Sequence, residues 1–370
     1  MLKRLYIDNF RCFVNFEYKP EPKQLLLGAN GSGKSSLLDA VRAVQGFVSE
    51  NGLDPFSPSA FKQGTTRWLS FPRQVFEIEA ELGGRPYLYR LEIKADGSLL
   101  DRVHAESLWV DGSPVVEYSE GLVQLHPGVG GTPTIRMEWQ DRHSSVLGSL
   151  RGFREEAKTF VEWLSSGLYC LSINPTQMQS VGMLDGKTHP LSTLSDLASW
   201  YLRLAGIDVE GVIQLRDSLK EVFDGVASLN LKQLQPGKGE LIATFNQPEG
   251  KASFALHELS DGQRCLIALY MILHFLIAKG HTVFIDEPDN FVSMREIQPW
   301  LLAAEDAVLE NKGQLILISH HPEILNHWAQ EFGLRFFREE NGHVRTEKFK
   351  TDRDGLLQPS ELIARGWENE

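Results

Sequence analysis

An α/β fold is predicted, with a mixed central sheet, an antiparallel β subdomain and a helical insertion, and three observations predict it. The last third of the chain alternates a helix (263 to 278), a strand (282 to 286), a helix (295 to 310), a strand (314 to 318) and a helix (322 to 330). That order belongs to a parallel sheet flanked by helices. Between 75 and 138, short alternating runs such as VFEIEAEL and YLYRLEIKA are separated by GG, DG and PG turns, which reads as antiparallel strands. Further on, FREEAKTFVEWL and LSDLASWYLRLAG carry apolar residues at helical spacing.

Taken in order, residues 2 to 7 (LKRLYI), 13 to 19 (FVNFEYK) and 24 to 27 (QLLL) read as strands of a small sheet, with Pro20 and Pro22 marking a turn. Ser35 to Phe47 then sets Leu37, Leu38, Val41, Val44 and Phe47 on one helical face, directly after a glycine-rich turn. From 50 to 74 the chain is rich in Pro, Gly and Ser. After the β subdomain, helices are expected at 153 to 165 and 194 to 228, and strands at 229 to 234, 240 to 245 and 252 to 256. The organisation is therefore an N-terminal lobe (1–150), a helical insertion (151–228), a C-terminal lobe (229–330) and a C-terminal extension (331–370) that ends in a frayed GWENE.

The 370 residues carry a net charge of −12, with 42% hydrophobic and 23% charged residues. This is a globular composition that excludes disorder and collagen, and it has length enough for two domains or one large domain with an insertion. The acidity argues against coating duplex DNA through the overall field, although a local basic groove can exist on an acidic body. The longest apolar run, Leu266 to Ala278, is interrupted by His274 and falls short of the roughly 20 residues that span a bilayer. Asp8, Asn9 and Arg11 interrupt any apolar signal region, so no membrane association and a cytoplasmic location are expected. Cys12, Cys170 and Cys265 are few, separated and set in apolar surroundings, which favours reduced structural thiols.

Chemistry concentrates at four places. Gly28 to Ser35 reads GANGSGKS, a complete GxxxxGK[ST] phosphate loop between an apolar strand and a helix. Its glycines let backbone N–H groups surround phosphate oxygens, Lys34 neutralises the β and γ phosphates, and Ser35 offers a hydroxyl to Mg²⁺ at the positive end of the helix. TVFIDE, 282 to 287, is an apolar strand ending in two acids. Asp286 can hold magnesium through water, and Glu287 can orient an attacking water as general base. ELSDGQR, 258 to 264, precedes a long apolar helix. It reads either as a second anion site serving another molecule or as a simple helix cap by Ser260 or Asp261. QLILISHH, 314 to 321, ends a strand with Ser319, His320 and His321, facing the crevice where open α/β sheets bind ligands. Paired histidines suggest a metal, but no third ligand is nearby.

In sequence order these four blocks resemble the Walker A, signature, Walker B and switch histidine of an ABC-type ATPase, over Leu2 to about Asn326. The resemblance implies a P-loop NTPase fold of ABC type that uses ATP and Mg²⁺. Asn30, Gly31, Ser32, Gly33, Lys34, Ser35 and Ser36 would contact the nucleotide, Ser35 and Asp286 would hold the metal, and Glu287 and His320 would be catalytic. Ser260, Gly262 and Gln263 would bind a second subunit's nucleotide. The opening LYIDNFRCF is similar to the N-terminal strand of RecF, SMC and related DNA-repair or defence ATPases, where a basic residue approaches the nucleotide; here that is Arg11. The long segment between Lys34 and Ser260 disfavours a transporter subunit, and the missing coiled coil disfavours a full SMC protein. The chain also resembles the ATPase half of OLD-family defence nucleases without the Toprim nuclease domain. Three departures stand out. The stretch Asp289 to Ser293 does not end in the aspartate common beyond Walker B, Asp261 occupies a place where glycine is common, and the Q-loop glutamine has only Gln177 and Gln179 as candidates.

The expectation is an ATP-dependent head-to-tail homodimer working in anti-phage defence or DNA repair with a separate effector, a nuclease or a toxin, with DNA binding possible. The alternative is an ATP-gated regulator of a toxin or effector that makes no direct DNA contact.

Overall fold

Leu25, Leu26 and Leu27 lie in the strand Lys23–Leu27, a central member of a six-stranded sheet in this computed structural model. The structure describes residues 1–49, 60–69, 73–94, 102–127, 134–184, 189–223, 225–350 and 357–366. Most of the Pro, Gly and Ser-rich segment, the DG turn at 96–97 and residues 367–370 lie outside these. The sheet order is Leu168–Ser172, Thr282–Asp286, Gln314–Ile318, Lys23–Leu27, Gly333–Arg338 and Val344–Lys348. The first five run parallel and the last is antiparallel. Parallel strands covered on both faces need unbroken apolar runs, which is why VFI and LILI contain no alternation. Register aligns Ser172 with Asp286, Asp286 with Ile318 and Ile318 with Leu26, so the chemistry-bearing ends share one edge.

Alternate side chains feed two cores. Leu25, Leu27, Val283, Ile285, Leu315 and Leu317 pack on one face with the helices Leu197–Ile207, Val209–Val222, Asp261–Phe275, Met294–Asn311 and Pro322–Phe332. Leu26, Phe284, Ile316 and Ile318 face the other way, against the phosphate-loop helix Lys34–Val48, the helix Glu155–Ser166 and an eight-stranded antiparallel sheet. That outer sheet comprises, in order, Phe16–Tyr18, Leu2–Asp8, Arg73–Leu82, Arg85–Lys94, Arg102–Val110, Ser113–Ser119, Leu122–Leu125 and Ile135–Glu138. Two buried polar side chains tie these layers. Gln314, 0% exposed, accepts from the Leu2 N–H and the Thr282 hydroxyl and donates to the Leu2 and Glu21 carbonyls, all at 3.1 Å. Glu106 accepts from the Tyr89 hydroxyl (2.9 Å), the Ser145 hydroxyl (2.6 Å) and the Val146 N–H (2.7 Å), fixing the short helix Val146–Leu150 to the sheet.

A small antiparallel sheet, built on Lys238–Gln247 with Val226–Gln235, Val181–Met183 and Gly250–Ala255 as partners, runs through the turn Leu256–Glu258 into Ser260. The helix that follows lies within Asp261–Lys279, a stretch long and apolar enough to cross a membrane by length and composition; 67% of that window is buried in the protein. Counting only an unbroken apolar run is therefore too strict a test of span length, and the segment is a core helix here.

Two expected boundaries change. The insertion 151–228 is not helical throughout: Leu168–Ser172 is the edge strand beside Thr282–Asp286, and the helical stretch at 194 to 228 breaks into two helices, with a strand starting at Val226. The extension 331–370 supplies Gly333–Arg338 and Val344–Lys348 to the central sheet. LYCLSI, at 168 to 173, already reads as a strand from its apolar residues, whereas the six-residue run Gly333–Arg338 beside a helix carries too little periodicity to announce itself, and pairing with a buried neighbour decides its state.

Candidate functional site

The phosphate loop turns through glycines with positive φ: Gly28 at 134°, Gly31 at 79° and Gly33 at 113°. A Cβ on Gly28 would fall 2.2 Å from the Phe336 carbonyl oxygen, and one on Gly33 would fall 3.0 Å from Cys12 Sγ, so both positions admit only hydrogen. The helix that follows has Gly33 as its N-cap and no side-chain cap, which leaves first-turn N–H groups available to an anion. Lys34, 7% exposed, donates from Nζ to the carbonyls of Gly28 (2.5 Å) and Ala29 (3.2 Å). Its ammonium is thus parked on the loop that a triphosphate would occupy.

A cleft of about 1110 Å³ opens over this loop. Arg11, Asn30, Gly31, Gly33, Lys34, Ser35, Ser36, Asp286, Glu287 and His320 all line it, which brings together most of the residues singled out in the sequence. Ser32 differs: its hydroxyl is buried without a hydrogen-bond partner among the described residues and does not line the cleft, while its N–H donates to the Ala29 carbonyl at 3.1 Å. Arg11 is held at φ 52° and pairs with Asp39 at 3.1 Å. Asp39 also meets Arg42 at 3.6 Å, and Arg42 donates to the Cys170 carbonyl and the Ser172 hydroxyl, each at 3.0 Å from Nη2.

Burial raises the Asp286 carboxyl above its ordinary value, against the pull of a hydrogen bond from the Ser35 hydroxyl. A cation placed between these two oxygens would relieve a buried carboxylate, so the donor pair fits Mg²⁺, a metal that takes few protein ligands and keeps waters and phosphates for the rest. Among the described residues no group of three or more His, Cys, Asp or Glu stands together as a metal centre. Glu287 is exposed to the cleft with its backbone at φ 50°. Its N–H donates to the Ile318 carbonyl (2.8 Å) and its Oε2 accepts from Asn290 Nδ2 (2.6 Å). The two histidines divide their work: His320 lines the cleft, whereas His321 caps Pro322–Phe332 by accepting from the Glu323 N–H at 3.2 Å.

The signature residues stand elsewhere. Ser260, Gly262 and Gln263 do not line the cleft. Ser260 caps Asp261–Phe275 in a reciprocal box with Gln263, at 3.2 and 3.0 Å, so the cap expected from sequence is present on a solvent-facing helix end. Gly262 abuts the stretch beyond Glu287, since a Cβ there would lie 2.7 Å from the Phe291 carbonyl, and Cys265 Sγ donates to the Pro288 carbonyl at 3.4 Å. Asp289 is buried behind, hydrogen-bonded to Ser319. The Q-loop candidates Gln177 and Gln179 are exposed and outside the cleft. Their segment packs instead on the signature helix, where Arg264 donates to the Pro175 carbonyl at 2.6 Å.

Several cleft residues escaped the sequence reading. Asp39 and Arg42 follow Ser35 at helical spacing and could have been found on a helical wheel. Arg338, which donates to the Gly31 carbonyl at 2.9 Å, and Gln63, Thr65, Arg67 and Trp68 carry no local signal.

The chain matches two family models, one described as an AAA domain over residues 4–118 and one described as an AAA domain, putative AbiEii toxin, Type IV TA system, over residues 192–326. Among solved structures it is similar to an Smc head bound to the C-winged helix domain of ScpA, at 14% identity and a TM-score of 0.57, covering 96% of this chain and 99% of that one. It is also similar to the Pyrococcus furiosus Smc head domain with an extended coiled coil, bound to the C-terminal domain of ScpA. That match has 15% identity and a TM-score of 0.50, covering 100% and 99%. No curated protein matches the chain. Fold and phosphate loop together define the class, an ATPase fold of ABC type. Within it, the chain shares the fold of an Smc head.

Proposed function

We propose that the chain binds and hydrolyses ATP in the 1110 Å³ cleft and uses the cycle to bring a pair of protomers together head to tail and release them. The observation that carries this reading is the separation of Ser260, Gly262 and Gln263 from the cleft of their own chain, on a helix end that faces solvent. One subunit supplies Lys34, Ser35, Asp286, Glu287 and His320, and a twofold partner would lay its signature across the open side. Mg²⁺, held by Ser35 and Asp286, supplies charge neutralisation on the phosphates when bound. Lys34 leaves the loop carbonyls for the phosphates, Glu287 orients water and accepts its proton, and His320 donates toward the γ-phosphate. The output is recruitment or release of a separate effector, a nuclease or toxin, in anti-phage defence or DNA repair, in the cytoplasm.

A second reading, an ATP-gated regulator of a toxin without DNA contact, is favoured by the net charge of −12 and by the toxin–antitoxin description of the model matched at 192–326. Light scattering of Glu287→Gln with ATP and Mg²⁺ tests dimerisation: the mass should double, and a mass indifferent to ATP sinks the switch. DNA affinity titrated against salt separates the two readings, because phosphate contacts give a steep slope.

A further inference from the structure

A second cavity, of about 330 Å³, opens on the outer sheet and is lined by Lys94, Arg102, Val103, His104, Tyr118, Glu120 and Arg142. Four cations of the same sheet, Arg4, Arg73, Arg85 and Arg90, are each paired with a carboxylate. In this cavity the arrangement reverses: among the described residues Lys94, Arg102 and Arg142 make no ion pair, although Glu120 stands beside them. Three cations with no ion pair among the described residues converge on one concavity and place a local positive field there.

The cavity also holds an unused donor. Tyr118 is 2% exposed and lines the cavity, and among the described residues its hydroxyl hydrogen has no acceptor; the Gly121 N–H is directed at its oxygen. A buried O–H left without an acceptor destabilises the fold, and any acceptor that enters removes that cost. The walls are fixed before a ligand arrives. The Val103 N–H donates to the Arg142 carbonyl at 2.8 Å, the Arg142 guanidinium lies against Gly121, and Arg73 Nη2 meets His104 Nε2 at 3.1 Å.

We propose that this cavity is a second, separate oxyanion site that binds one terminal phosphate monoester of a nucleotide, seated between Arg102 and Arg142 with the Tyr118 hydroxyl donating to it. Guanidinium groups match phosphate oxygens by charge-assisted bonds, and three cations facing a single concavity suit a dianion better than one diester of a continuous backbone. The volume lies at the lower end of small-ligand sites, room for one nucleotide unit. That unit can be free or the 5′ end of a strand. The site is distinct from the ATP cleft and does not depend on hydrolysis there.

The test uses the full chain carrying Lys34→Ala, which silences the ATP cleft, with AMP by calorimetry and with 5′-phosphorylated and 5′-hydroxyl single-stranded oligonucleotides by anisotropy. Binding should require the phosphate monoester and weaken about 10-fold or more in Arg102→Gln and Arg142→Gln, and several-fold in the nearly isosteric Tyr118→Phe. Binding of AMP identifies a free nucleotide as the source, and binding of only the phosphorylated strand identifies a strand end; either supports the site. Equal binding of the 5′-hydroxyl strand overturns it, as does no binding of any probe or binding indifferent to all three substitutions. If an arginine variant fails to fold, as judged by circular dichroism, Tyr118→Phe carries the same decision.

Discussion

Glu287 combines two features that rarely coincide by chance, a left-handed backbone at φ 50° and a carboxylate held by Asn290 beside a phosphate loop. Such a backbone costs about 1–3 kcal/mol and persists where surrounding bonds impose it; here the Ile318 carbonyl does so. Glu287→Gln can still accept from Asn290, so ATP binding should survive while turnover falls about 10²-fold or more, since only basicity is lost. Lys34→Ala should instead abolish nucleotide binding. Fluorescent-nucleotide titration alongside phosphate release separates the two, and equal turnover in wild type and Glu287→Gln would remove Glu287 from the mechanism. The histidine pair gives a matched contrast. His321→Ala should lower stability by about 1 kcal/mol through loss of the helix cap while leaving turnover near wild type, and His320→Ala should do the reverse. The motif residues were legible because each motif is contiguous and its chemistry is written in residue type. Arg338 was not, because only the folding of a distant strand brings it to Gly31.

Between elements, most strands and helices were legible from the sequence, LYCLSI at 168 to 173 among them, whereas Gly333–Arg338 was not, being a short parallel strand whose state is set by its neighbours. Gln314 shows how such pairing is enforced. Gln314→Leu would leave the Leu2 and Glu21 backbone groups and the Thr282 hydroxyl buried without partners, at about 1–3 kcal/mol for each group that water cannot reach. Urea denaturation should show a lower midpoint, and an unchanged midpoint would mean that water replaces the side chain. Glu106 makes a pH-dependent contribution. Burial raises its carboxyl despite four donors, so the folded state keeps this proton above the ordinary glutamate value of about 4.3 while the unfolded state releases it. Stability therefore falls as pH rises toward the raised value. Glu106→Gln, neutral at every pH, should lack that contribution to the slope when unfolding is followed across the weakly acidic range.

At the scale of the molecule, one central sheet serves two cores, and the phosphate loop, Asp286, Glu287 and His320 follow strands that end along one edge of it. The signature is the exception, and its placement at a solvent-facing helix end makes the assembly testable without damaging the fold. Ser260→Asp keeps a good helix cap but turns a carboxylate toward the triphosphate of a partner. ATP-dependent association of Glu287→Gln protein should be lost in the Ser260→Asp combination, while the melting temperature stays close to that of Glu287→Gln alone. Association that survives the change would return Ser260 to the role of a cap.

Gly28 rests on the carbonyl of Phe336, and Arg338 closes on Gly31. In the life of the polypeptide this sets an order of events. The loop that grips phosphate leaves the ribosome long before the strand on which it is seated. An emerging chain can shape most of the outer sheet early, since those strands are neighbours in sequence, but closing the central sheet must wait for pairing between distant residues such as Leu25 and Gly333, the slow kind of folding step. Nucleotide capture is thereby deferred until that strand has been made, and a truncated product ending before residue 333 would display the complete motif and hold no ATP.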